Sequence, residues 1–199
     1  GDLTERLGKL IDQVSDPDVR RELEHCRDTA SLLYSTFRRI QDNHELLTES
    51  LRAEKMTVAV DAFCRDIEKA LAKGGYEMPT FEGAKKGMKL NIAASAACAV
   101  VATLAELVTT LFGPPVLTRV DFTGVDASGI FRLQIATPRP WQGVEGDQVS
   151  ELVFRSGVRA HSIVDLLYVE KIAELQGASV RYLREGGVVH GLEVTWPSR

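Results

Sequence analysis

Apolar residues recur along the first third of the chain at alternating spacings of four and three. Leu3, Leu7, Leu10 and Val14 begin the run, Ser15-Asp16-Pro17-Asp18 interrupts it, and Val19, Leu23, Cys26, Ala30, Leu33, Phe37, Ile40, His44, Leu47 and Leu51 resume it without a slip. That periodicity belongs to a helix with one narrow apolar seam. The interruption supplies an N-cap and a first-turn proline, so it restarts a helix instead of ending in a loop. The pattern thus predicts a helical hairpin over residues 1–53. Its second helix would be about 50 Å long at 1.5 Å per residue, and the first could cover less than half of that seam. Leaving the rest in water costs roughly 25 cal/mol per Å² of apolar surface. The seam is therefore expected to pair with a second copy as a dimeric four-helix bundle. The alternative is that the C-terminal domain folds back over it.

From Glu54 the pattern changes and predicts a second domain over residues 54–199. Met56 to Val60 reads as a strand, and Asp61 is expected to cap a helix with Phe63, Ile67 and Leu71 inward and Gly74-Gly75 after it. Residues 76 to 87 form a loop with an edge strand, and Lys89 to Ile92 form a short strand. Ser95 is placed to cap a helix carrying Ala97, Val101, Leu104, Val108 and Leu111, stopped by Gly113-Pro114-Pro115. Val116 to Phe122 and Ile130 to Ile135 make a hairpin around Gly124 to Gly129, followed by a proline-rich loop over 138–147 and a short helix over 148–155. A helix from Val164 to Leu175 precedes two alternating strands, Ser179 to Arg184 and Val188 to Trp196, joined at Glu185-Gly186-Gly187. Helices and an antiparallel-leaning sheet in this order predict an α+β chain whose second domain is a two-layer α/β sandwich.

The helical hairpin, the strand-helix-strand-helix-hairpin order and the terminal helix, Gly pair and hairpin together resemble the transmitter core of bacterial histidine kinases. In that family a dimerisation bundle precedes an ATP-binding domain of the Bergerat or GHKL type. The resemblance implies where nucleotide contacts would lie, and there the chain departs from the pattern. Thr110 stands where an Asn would help hold magnesium and phosphates. Ile135-Ala136-Thr137-Pro138-Arg139-Pro140-Trp141 replaces an Asp-x-Gly-x-Gly motif, with no adenine-reading carboxylate and two prolines lacking N–H donors. Ile163-Val164-Asp165-Leu166 fills the glycine-rich turn that would present backbone N–H groups to phosphate, and Asp165 is placed to repel it.

These departures resemble the dimeric histidine phosphotransferases, which keep the bundle and a degenerate domain that binds no nucleotide. The resemblance implies a two-component signalling protein, a phosphotransferase or pseudokinase core with no cofactor. Its implied partners are a second copy through the N-terminal helices and a response-regulator receiver domain or a histidine kinase. A divergent sensor kinase that still binds ATP, and a non-catalytic dimerisation scaffold, are the alternatives. The phosphoacceptor histidine would precede the Ser15-Asp16-Pro17 break, where residues 1 to 14 contain no His. It lies upstream of Gly1 or is absent. His44-Glu45-Leu46-Leu47-Thr48 matches the kinase phosphoacceptor motif in letters, so His44 is the candidate catalytic residue, although its place on the seam near the end of the second helix also suits a packed bundle residue.

Composition narrows the picture little. Hydrophobic residues make up 44% and charged residues 26%, ordinary for a globular chain, and a net charge of -4 argues against a nucleic-acid binder. Cys26, Cys64 and Cys98 have no paired spacing and fall on apolar helix positions, which predicts buried, reduced thiols. The four histidines lie in no metal motif: His25 is expected on the surface, His161 in a loop and His190 in a hairpin. Ile92 to Phe112 has the length of a membrane span, but its Ala, Ser and Thr content predicts a buried helix and no membrane insertion. The N-terminus is not that of a signal peptide, so a cytoplasmic location is expected, and a chain opening on Gly reads as an excerpt.

Overall fold

Asp16 ends one helix and starts the next. Its Oδ1 accepts the N–H groups of Asp18 and Val19 at 2.9 and 3.4 Å, satisfying donors that the first turn leaves unpaired. Pro17, which has no N–H, is the first residue of helix α2 (Pro17–Arg52), and α1 spans Asp2–Gln13. A computed structural model describes residues 2–141 and 160–198, in two compact units, Gly1–Asp42 and Asn43–Arg199.

The first unit holds α1 and α2 as far as Asp42, whereas the predicted hairpin runs to residue 53. On α1 the inward line is Leu7, Ile11 and Val14, with Ile11 buried, while Leu10 is half exposed, so the expected Leu7–Leu10–Val14 line is shifted by one residue. On α2 the seam is partly covered at Leu23 and Ala30, while Val19, Leu33, Phe37 and Ile40 stand exposed.

The second unit begins inside α2 at Asn43 and continues through β1 (Met56–Ala59), α3 (Val60–Lys73), β2 (Thr80–Glu82), β3 (Lys89–Ile92) and α4 (Ala94–Phe112). It then runs through β4 (Leu117–Asp121), a short α5 (Val125–Ser128), β5 (Ile130–Trp141), α6 (Ala160–Leu175), β6 (Ser179–Glu185) and β7 (Val188–Pro197). β1 and β3 form an antiparallel ribbon, and the main sheet has the order β2-β4-β5-β7-β6, antiparallel except for the parallel β2–β4 pair. Alternation places Val120, Phe131, Leu133, Ile135, Val194 and Trp196 on the inner face, where they pack with Phe63, Ile67, Leu104, Val108 and Ile172 of the helices. The predicted two-layer α+β architecture is the one observed.

The core is organised around aromatic rings. Phe131 stacks on Trp196 with centroids 5.0 Å apart, and Phe63 meets Phe131 edge-on at 5.6 Å. Trp196 Nε1 donates to Gln176 Oε1 at 2.9 Å, satisfying the one polar atom of a fully buried indole. The β6–β7 turn is made by Gly186 and Gly187 at φ 58° and 83°, the consecutive positive values that a two-residue hairpin of this twist requires.

Four expectations need correction. Asp61 and Ser95 do not cap: the N-cap positions of α3 and α4 are Ala59 and Ala93, which offer no side-chain cap. The Val60 N–H instead donates to the Met88 carbonyl, so a neighbouring loop satisfies the helix start. Of the expected loop over 138–147, residues 138–141 are strand, with an irregularity in the β5–β7 pairing after Ala136, the kind of place where a strand accepts proline, and 142–147 lie outside the described residues. His161 lies within α6, which starts at Ala160, earlier than the apolar pattern suggested. Cys26 is exposed, and Cys64 and Cys98 are half-buried, so none of the three is the fully buried thiol expected. The expected short helix over 148–155 lies outside the described residues.

α4 is, among the described residues, the one helix long and apolar enough to cross a membrane. It is also the central core helix, with Ala97, Val100, Val101, Leu104 and Val108 buried beneath the sheet and its neighbours.

Candidate functional site

Three places in the second unit correspond to the segments where the sequence departs from a nucleotide-binding pattern: the last turns of α4, the distal half of β5 and the first turns of α6. Thr110 is exposed in the last turn of α4, and the neighbouring Thr109 hydroxyl donates to the Ala105 carbonyl at 2.7 Å, turned back onto its own helix. In β5, Thr137 is buried and its Oγ1 donates to the Arg139 carbonyl at 3.0 Å. That hydroxyl serves the local backbone.

At α6 the structure differs from the expectation most. Residues 163–166 are not a turn before a helix; they lie inside α6. From its second turn onward the N–H groups of an α-helix are engaged by carbonyls four residues earlier, so they are not directed at a ligand. Asp165 does not face an open pocket. It is 3% exposed and its Oδ1 accepts from Nδ2 of Asn43 at 2.7 Å. The arrangement thus contains one buried, hydrogen-bonded carboxylate and one inward hydroxyl bonded to backbone, and joins α6 to the last turns of α2.

Over its full length this chain aligns with known signalling structures. Full-length ShkA in complex with AMPPNP aligns with 98% of the chain at 13% identity and a TM-score of 0.54, and the chain spans 46% of that protein. The Acinetobacter baumannii histidine kinase AdeS aligns with 99% of the chain and 93% of its own length at 14% identity and a TM-score of 0.50. The fold is that of a histidine kinase transmitter core. No family model matches the sequence, and a search of curated proteins returns no match.

Within this transmitter-type fold, Asn43 is the residue that sequence reasoning missed. Asn43, Leu46, Leu47 and Ser50 form the inward face of the end of α2, with Asn43 and Ser50 buried and Leu46 and Leu47 packed on the core. That face is offset from the Ile40–His44–Leu47–Leu51 seam by one residue, or about 100° around the helix. His44 is accordingly exposed in the single chain, as is Leu51. His25 is exposed as expected, and His190 lies on β7. Among the described residues no group of three or more His, Cys, Asp or Glu side chains is placed to hold a metal ion.

The half-buried thiols are held protonated. Burial, reinforced by the nearby Asp61 and Glu68 carboxylates, pushes Cys64 up to about 11, and burial with Asp66 pushes Cys98 up to about 12. At pH 8 only about one Cys64 thiol in a thousand would be the reactive thiolate. Native protein treated with iodoacetamide at pH 8 is expected to stay unmodified at Cys64 and Cys98, with both labelled once it is unfolded, as peptide mass spectrometry would read. The sign of the pH effect follows. An unfolded thiol loses its proton near its ordinary value of 9, whereas the folded ones keep theirs to about 11 and 12. The stability these groups confer is complete below pH 9 and declines as pH rises towards 11–12.

Proposed function

We propose that this chain is a dimeric module of two-component signalling, a phosphotransferase or pseudokinase core in kind, whose helical part (residues 1–53) docks receiver domains and whose 54–199 domain binds no ATP. The observation that supports this reading is the hydrogen bond between buried Asp165 and Asn43, in the segment that the resemblance aligns with a phosphate-binding turn. A nucleotide bound there would set its phosphates against a buried carboxylate, and Ile163-Val164-Asp165-Leu166 carries no glycine in its sequence. The inward Thr137 and the prolines of β5 likewise leave no carboxylate to read an adenine amino group.

Dimerisation through the α2 seam is part of the same reading, supported by its four exposed apolar positions between Val19 and Ile40. In a phosphotransferase the phosphoryl group would pass between a bundle histidine and a receiver aspartate, so this chain would need no nucleotide of its own. His44, exposed on α2, is the candidate acceptor within the sequence. A cytoplasmic location fits a partner of that kind.

Isothermal titration of the chain with magnesium and ATP, and separately with ADP, tests the central point. No heat of binding up to millimolar nucleotide is expected, and micromolar affinity would return the protein to the sensor-kinase reading. Transfer of label from a phosphorylated receiver domain to wild type but not to His44→Gln would establish His44 as acceptor. Failure of every receiver domain to bind would leave a dimerisation scaffold.

A further inference from the structure

Asn43 and Asp165 are 122 residues apart in sequence, yet they form a direct hydrogen bond with both side chains buried. Apolar side chains flank the pair: Leu46 and Leu47 pack on the core one turn further along α2, and Leu166 and Val169 are buried near Asp165 in the sequence of α6. A carboxylate placed among such neighbours is costly unless hydrogen-bonded, and leucine or alanine would have filled the joint at lower cost. What a buried polar pair adds is discrimination between packings. Apolar side chains tolerate a slip of one helix past another, but a rotation of α2 by one residue, about 100°, would carry the amide away from the carboxylate.

We infer that Asn43 and Asp165 form a register lock that fixes α6 onto residues 43–52 of α2, so that these two stretches move as one body. The lock itself follows from the hydrogen bond and its burial. One consequence rests on the proposed function: the lock gives α6, from within the chain, the ordering that a bound phosphate would otherwise supply. It also makes α6 responsive to α2, since a partner that rotates the end of α2 must break the pair or carry α6 with it.

Hydrogen exchange of the whole chain without nucleotide tests the lock independently of any ATP question. Asn43→Asp sets two carboxylates against each other, whereas the double variant Asn43→Asp with Asp165→Asn restores an amide–carboxylate pair with the roles exchanged. Asn43→Asp is expected to raise amide exchange in residues 43–52 and 160–175 by roughly 10- to 100-fold while β4, β5 and β7 stay as protected as in wild type. The double variant should return both stretches to within about threefold of wild type. Unchanged exchange in Asn43→Asp, a uniform rise that includes β4, β5 and β7, or no recovery in the double variant would each overturn the lock. Should Asn43→Asp fail to fold, a folded double variant supports the lock and an unfolded one refutes it.

Discussion

Trp196→Ala is expected to destabilise the second unit more than any other single truncation, by about 4 kcal/mol, within the range for emptying a large aromatic site. The indole is fully buried at the end of β7, stacked on Phe131, and Phe131 in turn bridges to Phe63 on α3 and Phe122. Removing it therefore opens a void where sheet and helices meet. It also takes away the donor to Gln176 Oε1, leaving a buried amide without that partner. In a unit of this size the loss corresponds to a fall in melting temperature of roughly 8 to 16 °C. Thermal unfolding followed by circular dichroism would measure it. Trp196→Phe separates the two contributions, because it keeps a ring against Phe131 but not the indole N–H. Its expected cost is about 1 to 3 kcal/mol, mostly from Gln176. Equal losses for the two variants would mean that the hydrogen bond, and not ring packing, dominates this corner.

The fold was legible where one physical cause acts alone. The β6–β7 hairpin is encoded by Gly186-Gly187, because two successive positive φ values exclude almost everything else. The restart at Asp16-Pro17 was legible because an Asx cap and a proline are both local signals. Misreadings arose where a distant group supplies what a local residue was expected to supply. Asp61 looked like a cap, but the Met88 carbonyl takes up the Val60 N–H from another part of the chain. Pro138 looked like a strand end, yet β5 absorbs it at an irregular stretch of its pairing with β7.

The candidate site was harder to read for a related reason. Hydrophobic periodicity finds faces that pack through apolar contact, and the inward face at the end of α2 is marked by Asn43 and Ser50, which the pattern counts as solvent-facing. Asp165 was placed in the correct segment but given the wrong environment, since nothing local to Ile163–Leu166 reveals a partner 122 residues away. His44 and Cys26 are both exposed in the single chain, and both lie on the 3–4 line that is expected to pair with a second copy.

Those exposed positions make the second large expectation. Leu33 and Phe37 are 55% and 66% exposed, and Ile40 continues the same line one turn on. Neither Leu33 nor Phe37 belongs to the core of its own chain, so replacing both with Asp should leave helicity and melting of the second unit nearly unchanged. If the seam joins two copies, four apolar side chains per dimer are lost, each contributing about 1.5 kcal/mol or more when buried, and four carboxylates must be desolvated in their place. The dimer dissociation constant should rise at least about 10⁴-fold, which converts a micromolar dimer into a monomer at every practical concentration. Light scattering coupled to size exclusion would read a mass near 22 kDa for the variant and twice that for the wild type. Leu32→Asp is the control. Leu32 is 48% exposed but lies about 100° away from Leu33 around α2, off the 3–4 line, so its replacement should leave the dimer largely intact. A wild type that is monomeric at high concentration would remove the dimer from the proposed function, and equal damage from Leu32→Asp would place the contact on a different face of α2.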